Sequence, residues 1–171
     1  MNYFVKANPN RCIGCRTCMI SCVVAHEGKR IFEIDPDAYN FNPRLFMVKT
    51  AKVSIPIHCK QCENPACKAA CVPGAISLEG TRVSVDSHKC IGCKNCVAAC
   101  PFGAMDLVES GELLDDGAPK MVALKCDLCA GVADGPSCVK VCLTEALELV
   151  TENDLLAALR EKRQIAATAS L

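Results

Sequence analysis

The chain has 171 residues, of which 16 are Cys and none is Trp, and aromatic residues make up only 4%. This length fits one domain or two small fused modules, and the scarcity of aromatic side chains excludes an ordinary core of large residues. The 19 basic residues balance the 19 acidic ones and form no basic patch, which speaks against a nucleic-acid-binding protein.

The first third of the chain combines short extended segments with a first group of cysteines. Apolar alternation indicates strands at Phe4–Val5 and Phe46–Val48. The group has the spacing Cys-x2-Cys-x2-Cys-x3-Cys and consists of Cys12, Cys15, Cys18 and Cys22. A cysteine-free insertion, 23–58, follows it and is rich in Pro and Asn after residue 35. We expect this insertion to cover a bound group or to contact a partner, unless it is a plain surface loop.

The middle third contains two further groups with a hairpin between them. The second group has the spacing Cys-x2-Cys-x4-Cys-x3-Cys and consists of Cys59, Cys62, Cys67 and Cys71. The third group repeats the first spacing and consists of Cys90, Cys93, Cys96 and Cys100. Apolar alternation at Ala75–Leu78 and Val83–Val85, around a turn at 79–81, predicts a β-hairpin. The Cys-x3-Cys segments, such as 97–99, suit short helical turns.

The fourth group follows a candidate strand at Met121–Leu124. It has the spacing Cys-x2-Cys-x8-Cys-x3-Cys and consists of Cys126, Cys129, Cys138 and Cys142. Three residues after the last cysteine of the second, third and fourth groups, an alternating apolar segment begins, and it predicts a short strand each time. These segments are 74–78, 103–107 and 145–149.

The C-terminal segment, 151–171, has no cysteine and a helical pattern. Thr151 and Asp154 indicate a capping box, with Asp in place of the usual Glu or Gln. Lys162 interrupts an apolar face that consists of Leu155, Ala158, Leu159, Ile165, Ala166 and Ala169. This amphipathic helix would pack on its own domain, dock on another chain, or join copies into an oligomer or filament, and the pattern leaves these possibilities open.

Four complete sets of four cysteines predict four [4Fe–4S] clusters as cofactors. Such a cluster binds four thiolates, and in two-cluster ferredoxins the fourth cysteine of a Cys-x2-Cys-x2-Cys-x3-Cys-Pro run ligates the neighbouring cluster. The third group includes this proline, Pro101, and the first group has the spacing alone. We therefore expect an α+β fold of two bacterial-ferredoxin-like modules, made of short hairpins and short helices, with a C-terminal helix. Because clusters would cross-link the chain, we expect the iron-free protein to be largely unfolded.

Other uses of so many cysteines fit the sequence less well. Structural zinc sites typically use separated cysteine pairs, and disulfides need an oxidising compartment. The first residues contain no export signal and no apolar stretch reaches membrane-spanning length, so we expect a cytoplasmic protein. Four clusters use every cysteine, which leaves His26, His58 and His88 in structural or supporting roles, with His58 of most interest because it precedes Cys59.

Eight basic residues lie in or beside the cysteine groups. We interpret them as compensation for the negative charge of thiolate-bound clusters, although any one of them fits an ordinary surface position equally well. They are Arg11, Arg16, Lys60, Lys68, Lys89, Lys94, Lys125 and Lys140.

The runs Arg11–Cys18 and Lys125–Cys129, with the wider gaps in the second and fourth groups, resemble a known family. Its members are the four-cluster electron-transfer subunits of molybdenum and tungsten oxidoreductases, including formate dehydrogenases and dimethyl sulfoxide reductases. The chain is most similar to the small branch that accompanies formate dehydrogenase in formate hydrogenlyase and hydrogen-dependent carbon dioxide reductase. The resemblance covers residues 1–150. Proline directly follows only Cys100, a departure that removes no ligand.

The resemblance also implies which cysteines share a cluster. The first and fourth groups form one module, 1–30 with 110–150, and the second and third groups form the other, 50–109. The implied ligand sets are Cys12, Cys15, Cys18 and Cys142; Cys22, Cys126, Cys129 and Cys138; Cys59, Cys62, Cys67 and Cys100; and Cys71, Cys90, Cys93 and Cys96.

These features favour a non-catalytic electron-transfer subunit of an oxidoreductase complex. It would relay single electrons between redox subunits such as formate dehydrogenase and hydrogenase, or other iron–sulfur subunits. A freestanding polyferredoxin and a scaffold that polymerises through 151–171 are the alternatives. The chain has no Gly-x-Gly-x-x-Gly, no P-loop and no radical-type Cys-x3-Cys-x2-Cys, and no set lacks a cysteine, so we expect no catalysis of its own.

Overall fold

A computed structural model of the chain describes residues 1–28, 32, 40–133 and 135–169. Within these ranges the chain forms eight short strands and five helices, which confirms the predicted α+β fold. The strands are β1 (Phe4–Ala7), β2 (Phe46–Lys49), β3 (Ser54–Ile57), β4 (Ile76–Glu79), β5 (Arg82–Val85), β6 (Asp106–Leu113), β7 (Pro119–Leu124) and β8 (Leu147–Val150). The helices are α1 (Thr17–Glu27), α2 (Ala66–Ala69), α3 (Asn95–Ala99), α4 (Ser137–Lys140) and α5 (Glu152–Thr168). The predicted insertion 23–58 and the predicted helix 151–171 each lie partly outside the described residues.

The strands pair, over the described residues, into four antiparallel two-stranded sheets: β1–β8, β2–β3, β4–β5 and β6–β7. The β4–β5 pair is the hairpin predicted between the second and third groups, and Ile76 lies opposite Val85 in it. In the β1–β8 pair, Val5 lies opposite Leu149. This pairing brings the N-terminal segment next to the segment that follows the fourth cysteine group.

Each of the first four helices contains the third cysteine of one group. Helix α1 packs against α4, and α2 packs against α3. The first and fourth groups therefore lie together, as do the second and third. The division of the chain into modules 1–30 with 110–150 and 50–109 stays a prediction, and β6 crosses the proposed boundary at residue 109.

The two Cys-Ile-Gly-Cys loops are each covered by a hairpin from a later part of the chain. A Cβ atom on Gly14 would lie 3.0 Å from Ser54 Oγ on β3, and one on Gly92 would lie 2.8 Å from Met121 O on β7. The φ angles of these glycines are +69° and +67°, a region that glycine adopts without steric cost. The missing side chains thus allow β2–β3 and β6–β7 to approach the cysteines.

The core consists of cysteines and small aliphatic side chains. Val5, Leu45, Val83, His58 and Gln61 are the largest fully buried side chains. Apart from His58, no aromatic ring of the described residues is buried. A core of this kind agrees with the low aromatic content and leaves the interior to the cysteine groups.

Helix α5 begins with the predicted capping box. Thr151 N donates to Asp154 Oδ2 at 2.8 Å, and Asp154 N donates to Thr151 Oγ1 at 3.5 Å. None of its described residues is buried, and Leu159 and Ile165 are 41% and 58% exposed. The apolar face of α5 is therefore open along the described part of the chain. Among the helices that the structure describes, none is both long enough and apolar enough for a membrane span.

Candidate iron–sulfur centres

Two cavities are each lined by four cysteines. In both, three cysteines of one group meet the end cysteine of the other group. One cavity is lined by Cys71, Cys90, Cys93 and Cys96. The other is lined by Cys59, Cys62, Cys67 and Cys100. These combinations match the two ligand sets implied for the module 50–109, although the coordination itself stays a prediction.

Cysteines of the first and fourth groups also lie close together. Burial raises the pKa of Cys138, and the nearby Cys126, Cys129, Cys22 and Cys18 raise it further. Cys138, Cys126, Cys129 and Cys22 together are the second implied ligand set, and Cys18 belongs to the set beside it.

The remaining implied set contains Cys18, its most buried member. Burial raises the pKa of Cys18 to about 11, and Cys15 and Cys12 contribute to the rise. Cys142 packs on the core cluster that contains Cys18. The structure thus places Cys12, Cys15 and Cys18 near one another and Cys142 beside the same core.

The cysteine sets fit an iron–sulfur cluster chemically. Burial raises the pKa of Cys67 to about 11 and that of Cys126 to about 12, so these thiols keep their protons unless cations compensate the thiolates. Iron supplies that compensation, and the thiolate is the form that binds metal. In the described ranges, no three His, Cys, Asp or Glu side chains converge closely enough to hold one metal ion. Cysteines spaced in this way fit a cluster of several irons, in which the four thiolates bind different iron atoms.

Backbone N–H groups donate to cysteine sulfurs at repeated positions. Ala104 N donates to Cys100 Sγ at 3.4 Å, and Ala146 N donates to Cys142 Sγ at 3.2 Å. Both donors lie four residues after the last cysteine of a group. Hydrogen bonds of this kind stabilise a thiolate and influence the reduction potential of a cluster that it holds.

A charged network surrounds Cys22. Asp127 accepts a hydrogen bond at Oδ1 from His26 Nε2 at 2.9 Å and at Oδ2 from Arg44 Nη1 at 2.7 Å. Arg44 N donates to Cys22 Sγ at 3.4 Å, and His26 Nδ1 donates to Cys22 O at 2.7 Å. Burial by itself lowers the pKa of His26, but the hydrogen bonds with Asp127 and Cys22 outweigh it and raise the pKa to about 10. The sequence gives no local signal for this network, because Asp127 is 101 residues from His26 and 83 from Arg44.

The histidine beside the second group has a different environment. His58 is 1% exposed, and its Nε2 atom has no hydrogen-bond partner among the described residues. Burial lowers the pKa of His58 to about 4, so the ring is neutral near pH 7. A buried, unpartnered nitrogen next to Cys59 fits a site that holds a further polar group.

The cysteine sets differ in exposure. Cys15 and Cys93 are exposed, whereas Cys59 and Cys126 are buried in one core cluster with Ala104. Besides burial and Cys22, Cys59 contributes to the raised pKa of Cys126, so these two thiols are neighbours. We call the sets with Cys59 and Cys126 the inner sets and those with Cys15 and Cys93 the outer sets.

Residues 51–152 match the family model described as a 4Fe-4S dicluster domain. The chain is 43% identical over 171 aligned residues to the electron transport protein HydN of Escherichia coli K12, and the alignment covers 96% of this chain and 97% of HydN. It is 33% identical to hydrogenase-4 component A of the same strain, with coverage of 98% and 92%. It is 37% identical to an iron-sulfur protein of Rhodospirillum rubrum, with coverage of 95% and 89%.

These relatives confirm the resemblance, the function and the cofactor that the cysteine pattern predicts. The coverage is almost complete in both directions, and the family model extends from the second group to the start of α5. The chain therefore belongs to the 4Fe-4S dicluster family, as an electron-transfer iron–sulfur protein with four [4Fe–4S] clusters.

Proposed function

We propose that this chain is a non-catalytic relay subunit of an oxidoreductase complex and that each cysteine set holds one cluster. The proposed ligands are Cys12, Cys15, Cys18 and Cys142; Cys22, Cys126, Cys129 and Cys138; Cys59, Cys62, Cys67 and Cys100; and Cys71, Cys90, Cys93 and Cys96. The two four-cysteine cavities support this assignment most directly, since each already combines cysteines from two groups.

The protein contributes placement and electrostatics to electron transfer. A bound [4Fe–4S] cluster supplies a site that gains and loses single electrons. The buried contact of Cys59 with Cys126 holds the two inner sets side by side. The packing of α1 on α4 and of α2 on α3 holds an outer set next to each inner set. The single observation that carries the proposal is that Cys59 and Cys126, one from each proposed inner set, are buried in one core cluster, whereas each proposed outer set includes an exposed cysteine.

Apolar side chains next to the outer sets are open to partners. Ile13 follows Cys12 and is 67% exposed, and Ile91 follows Cys90 and is 68% exposed. Val72, after Cys71, is 86% exposed. Exposed apolar residues beside a redox site favour contact with another protein. We therefore propose that one redox partner contacts the surface around Ile13, beside one outer set. A second partner contacts the surface around Ile91, beside the other outer set.

The proposed partners are a hydrogenase-type subunit and a formate dehydrogenase. The name of one relative, hydrogenase-4 component A, supports the first, and the resemblance to formate dehydrogenase subunits supports the second. We further propose that 151–171 docks on a partner or on a second copy, since no described residue of α5 is buried. A cytoplasmic location is part of the proposal, because a reducing compartment keeps cysteines available for metal.

Anaerobic native mass spectrometry of the protein from its own cells tests cluster load and partners together. We expect four Fe4S4 units and an attached formate dehydrogenase or hydrogenase subunit. Deletion of 151–171 should release a partner or a second copy while the four clusters remain. A four-cluster monomer without partners would support a freestanding polyferredoxin instead, and a zinc mass would contradict the cluster assignment.

Charge substitutions test the two proposed contact surfaces, around Ile13 and around Ile91. Ile13→Glu and Ile91→Glu should each slow electron exchange with a different purified partner by about tenfold or more, because a buried charge weakens a tight interface. Leu113→Glu is the matched control, since Leu113 is 72% exposed and lies at the last residue of β6, opposite Pro119. Equal effects of all three substitutions on electron exchange would contradict the assignment of the Ile13 and Ile91 surfaces as partner contacts.

A further inference from the structure

A lysine side chain is buried between the inner sets. Lys125 is 3% exposed, and its Nζ donates to Val83 O and, at 2.8 Å, to Cys126 O. The nearby carboxylate of Asp127 is paired with His26 and Arg44 instead. Among the described residues, therefore, the ammonium has carbonyl partners and no carboxylate in ion-pair contact.

Gln61 makes neutral hydrogen bonds to the same two residues. Its Nε2 donates to Cys126 O at 2.7 Å, and its Oε1 accepts from Val83 N at 2.8 Å. Gln61 is 1% exposed. A neutral side chain thus already donates to the Cys126 carbonyl, so hydrogen bonding to that carbonyl does not by itself require a cation.

A buried ammonium without a negative partner is strongly unfavourable. The position of Lys125 indicates where the compensating negative charge lies. Val83, which accepts its hydrogen bond, lines the cavity of Cys59, Cys62, Cys67 and Cys100. The ammonium group therefore lies against the lining of this inner set.

We propose, on the basis of the ligand sets above, that Lys125 is a fixed counter-cation for the cluster held by Cys59, Cys62, Cys67 and Cys100. A reduced cluster carries one more negative charge than the oxidised one, and a buried cation stabilises that charge with little screening by solvent. Lys125 thus raises the reduction potential of this inner cluster. Gln61 bonds the same two residues without a charge, and it is therefore the neutral comparison for Lys125.

Redox titration followed by electron paramagnetic resonance tests this role on the full chain, purified anaerobically with its clusters. Lys125→Met and Lys125→Gln should both shift one midpoint potential to a more negative value. The expected shift is at least a tenfold decrease in the equilibrium constant of reduction, which is about 59 mV for one electron. Cys62→Ser identifies the signal, because it should alter the spectrum of the same cluster.

Two control variants separate charge from structure. Lys60→Met removes a cation next to Cys59 from a half-buried position, where solvent screens it, so its shift should be smaller. Gln61→Met removes hydrogen bonds to Val83 and Cys126 without changing charge, and its shift should also be smaller. A shift in Gln61→Met as large as that of Lys125→Met would mean a structural effect and overturn the proposal. An equally large shift in Lys60→Met would mean that burial of the cation does not set the potential, and would overturn it as well.

The remaining outcomes are also decisive. Unchanged potentials in both Lys125 variants, with four clusters present, would overturn the counter-cation role and leave the proposed function intact. Loss of one cluster from both variants would show that Lys125 is needed for assembly, and would overturn the charge role as well. Fewer than four clusters in the unmodified protein would contradict the proposed function itself.

Discussion

The first and third cysteine groups have the same spacing, but their helices differ in length. Helix α1 has 11 residues and Gly28, whose φ is 67°, as its C-cap, whereas α3 has 5 residues and Cys100, with φ −77° and ψ 111°, as its C-cap. Pro101 explains the difference, because proline disfavours a helical conformation in the residue before it and donates no helical N–H bond. Val23 occupies the equivalent position after Cys22 and allows α1 to continue.

The longer helix gives Cys22 contacts that Cys100 lacks. His26 lies four residues after Cys22 on α1, donates to its carbonyl oxygen and reaches Asp127. Ala104 lies four residues after Cys100, outside a helix, and its N–H donates to the sulfur instead. In the first and third groups, the residue after the fourth cysteine therefore decides whether the position four residues later lies in a helix, as His26 does, or outside one, as Ala104 does.

Removal of iron should have the largest effect on stability, because clusters bind the cysteines of both the first and the third group. We expect the chelated protein to lose most of its tertiary structure, since burial of the cysteines without metal leaves a core of small side chains. An isolated 11-residue helix is marginal in water, so α1 should lose hydrogen-exchange protection together with α3. Protection that persists in α1 alone would show that its length, and not the cluster, stabilises it.

Val23→Pro should make the first group resemble the third. The substitution removes a helical hydrogen bond within α1 and introduces a ring clash, and should reduce stability by about 3 kcal/mol or more. Thermal unfolding of the cluster-loaded protein, followed by circular dichroism and iron absorbance, measures the loss. Pro101→Val is the reverse control and should change stability far less, because α3 already ends at Cys100. Equal losses would mean that proline does not set the helix lengths.

The covering hairpins allow a second comparison of the two loops. Gly92→Ala would place a Cβ against the backbone of β7, which cannot move without the strand, and should reduce stability by about 2–3 kcal/mol. Gly14→Ala meets Ser54 Oγ at 3.0 Å and Ser54 Cβ at 3.1 Å, which are longer contacts than the 2.8 Å to the backbone oxygen of Met121, and should cost about 1–2 kcal/mol, mainly from the positive φ. Denaturant titration of both variants under anaerobic conditions measures the difference. A larger loss in Gly14→Ala would contradict the closer approach of β7.

Local patterns predicted the elements, and distant contacts explain what they missed. The capping box at Thr151 and the β4–β5 hairpin follow from neighbouring residues, so the sequence indicated both. Strand β3 contains Pro56, which usually interrupts a strand, and the sequence analysis did not identify it. The cysteine spacing indicated the cluster sites, but the contact of Asp127 with His26 depends on how α1 packs on the fourth group.

Asp127→Asn tests that contact and should have a small, local effect on stability. The substitution weakens hydrogen bonds to two positively charged partners, His26 and Arg44, and should cost about 1–2 kcal/mol. The loss of stability should be local. Amide hydrogen exchange should become faster in α1 and should not change in α3. Glu112→Gln is a matched control, because it disrupts the 2.7 Å ion pair with Lys120, in which Glu112 is 55% exposed, and should change stability less. Faster exchange in α3 as well would mean that Asp127 supports the whole core, and the difference between the two cysteine groups would then not rest on α1.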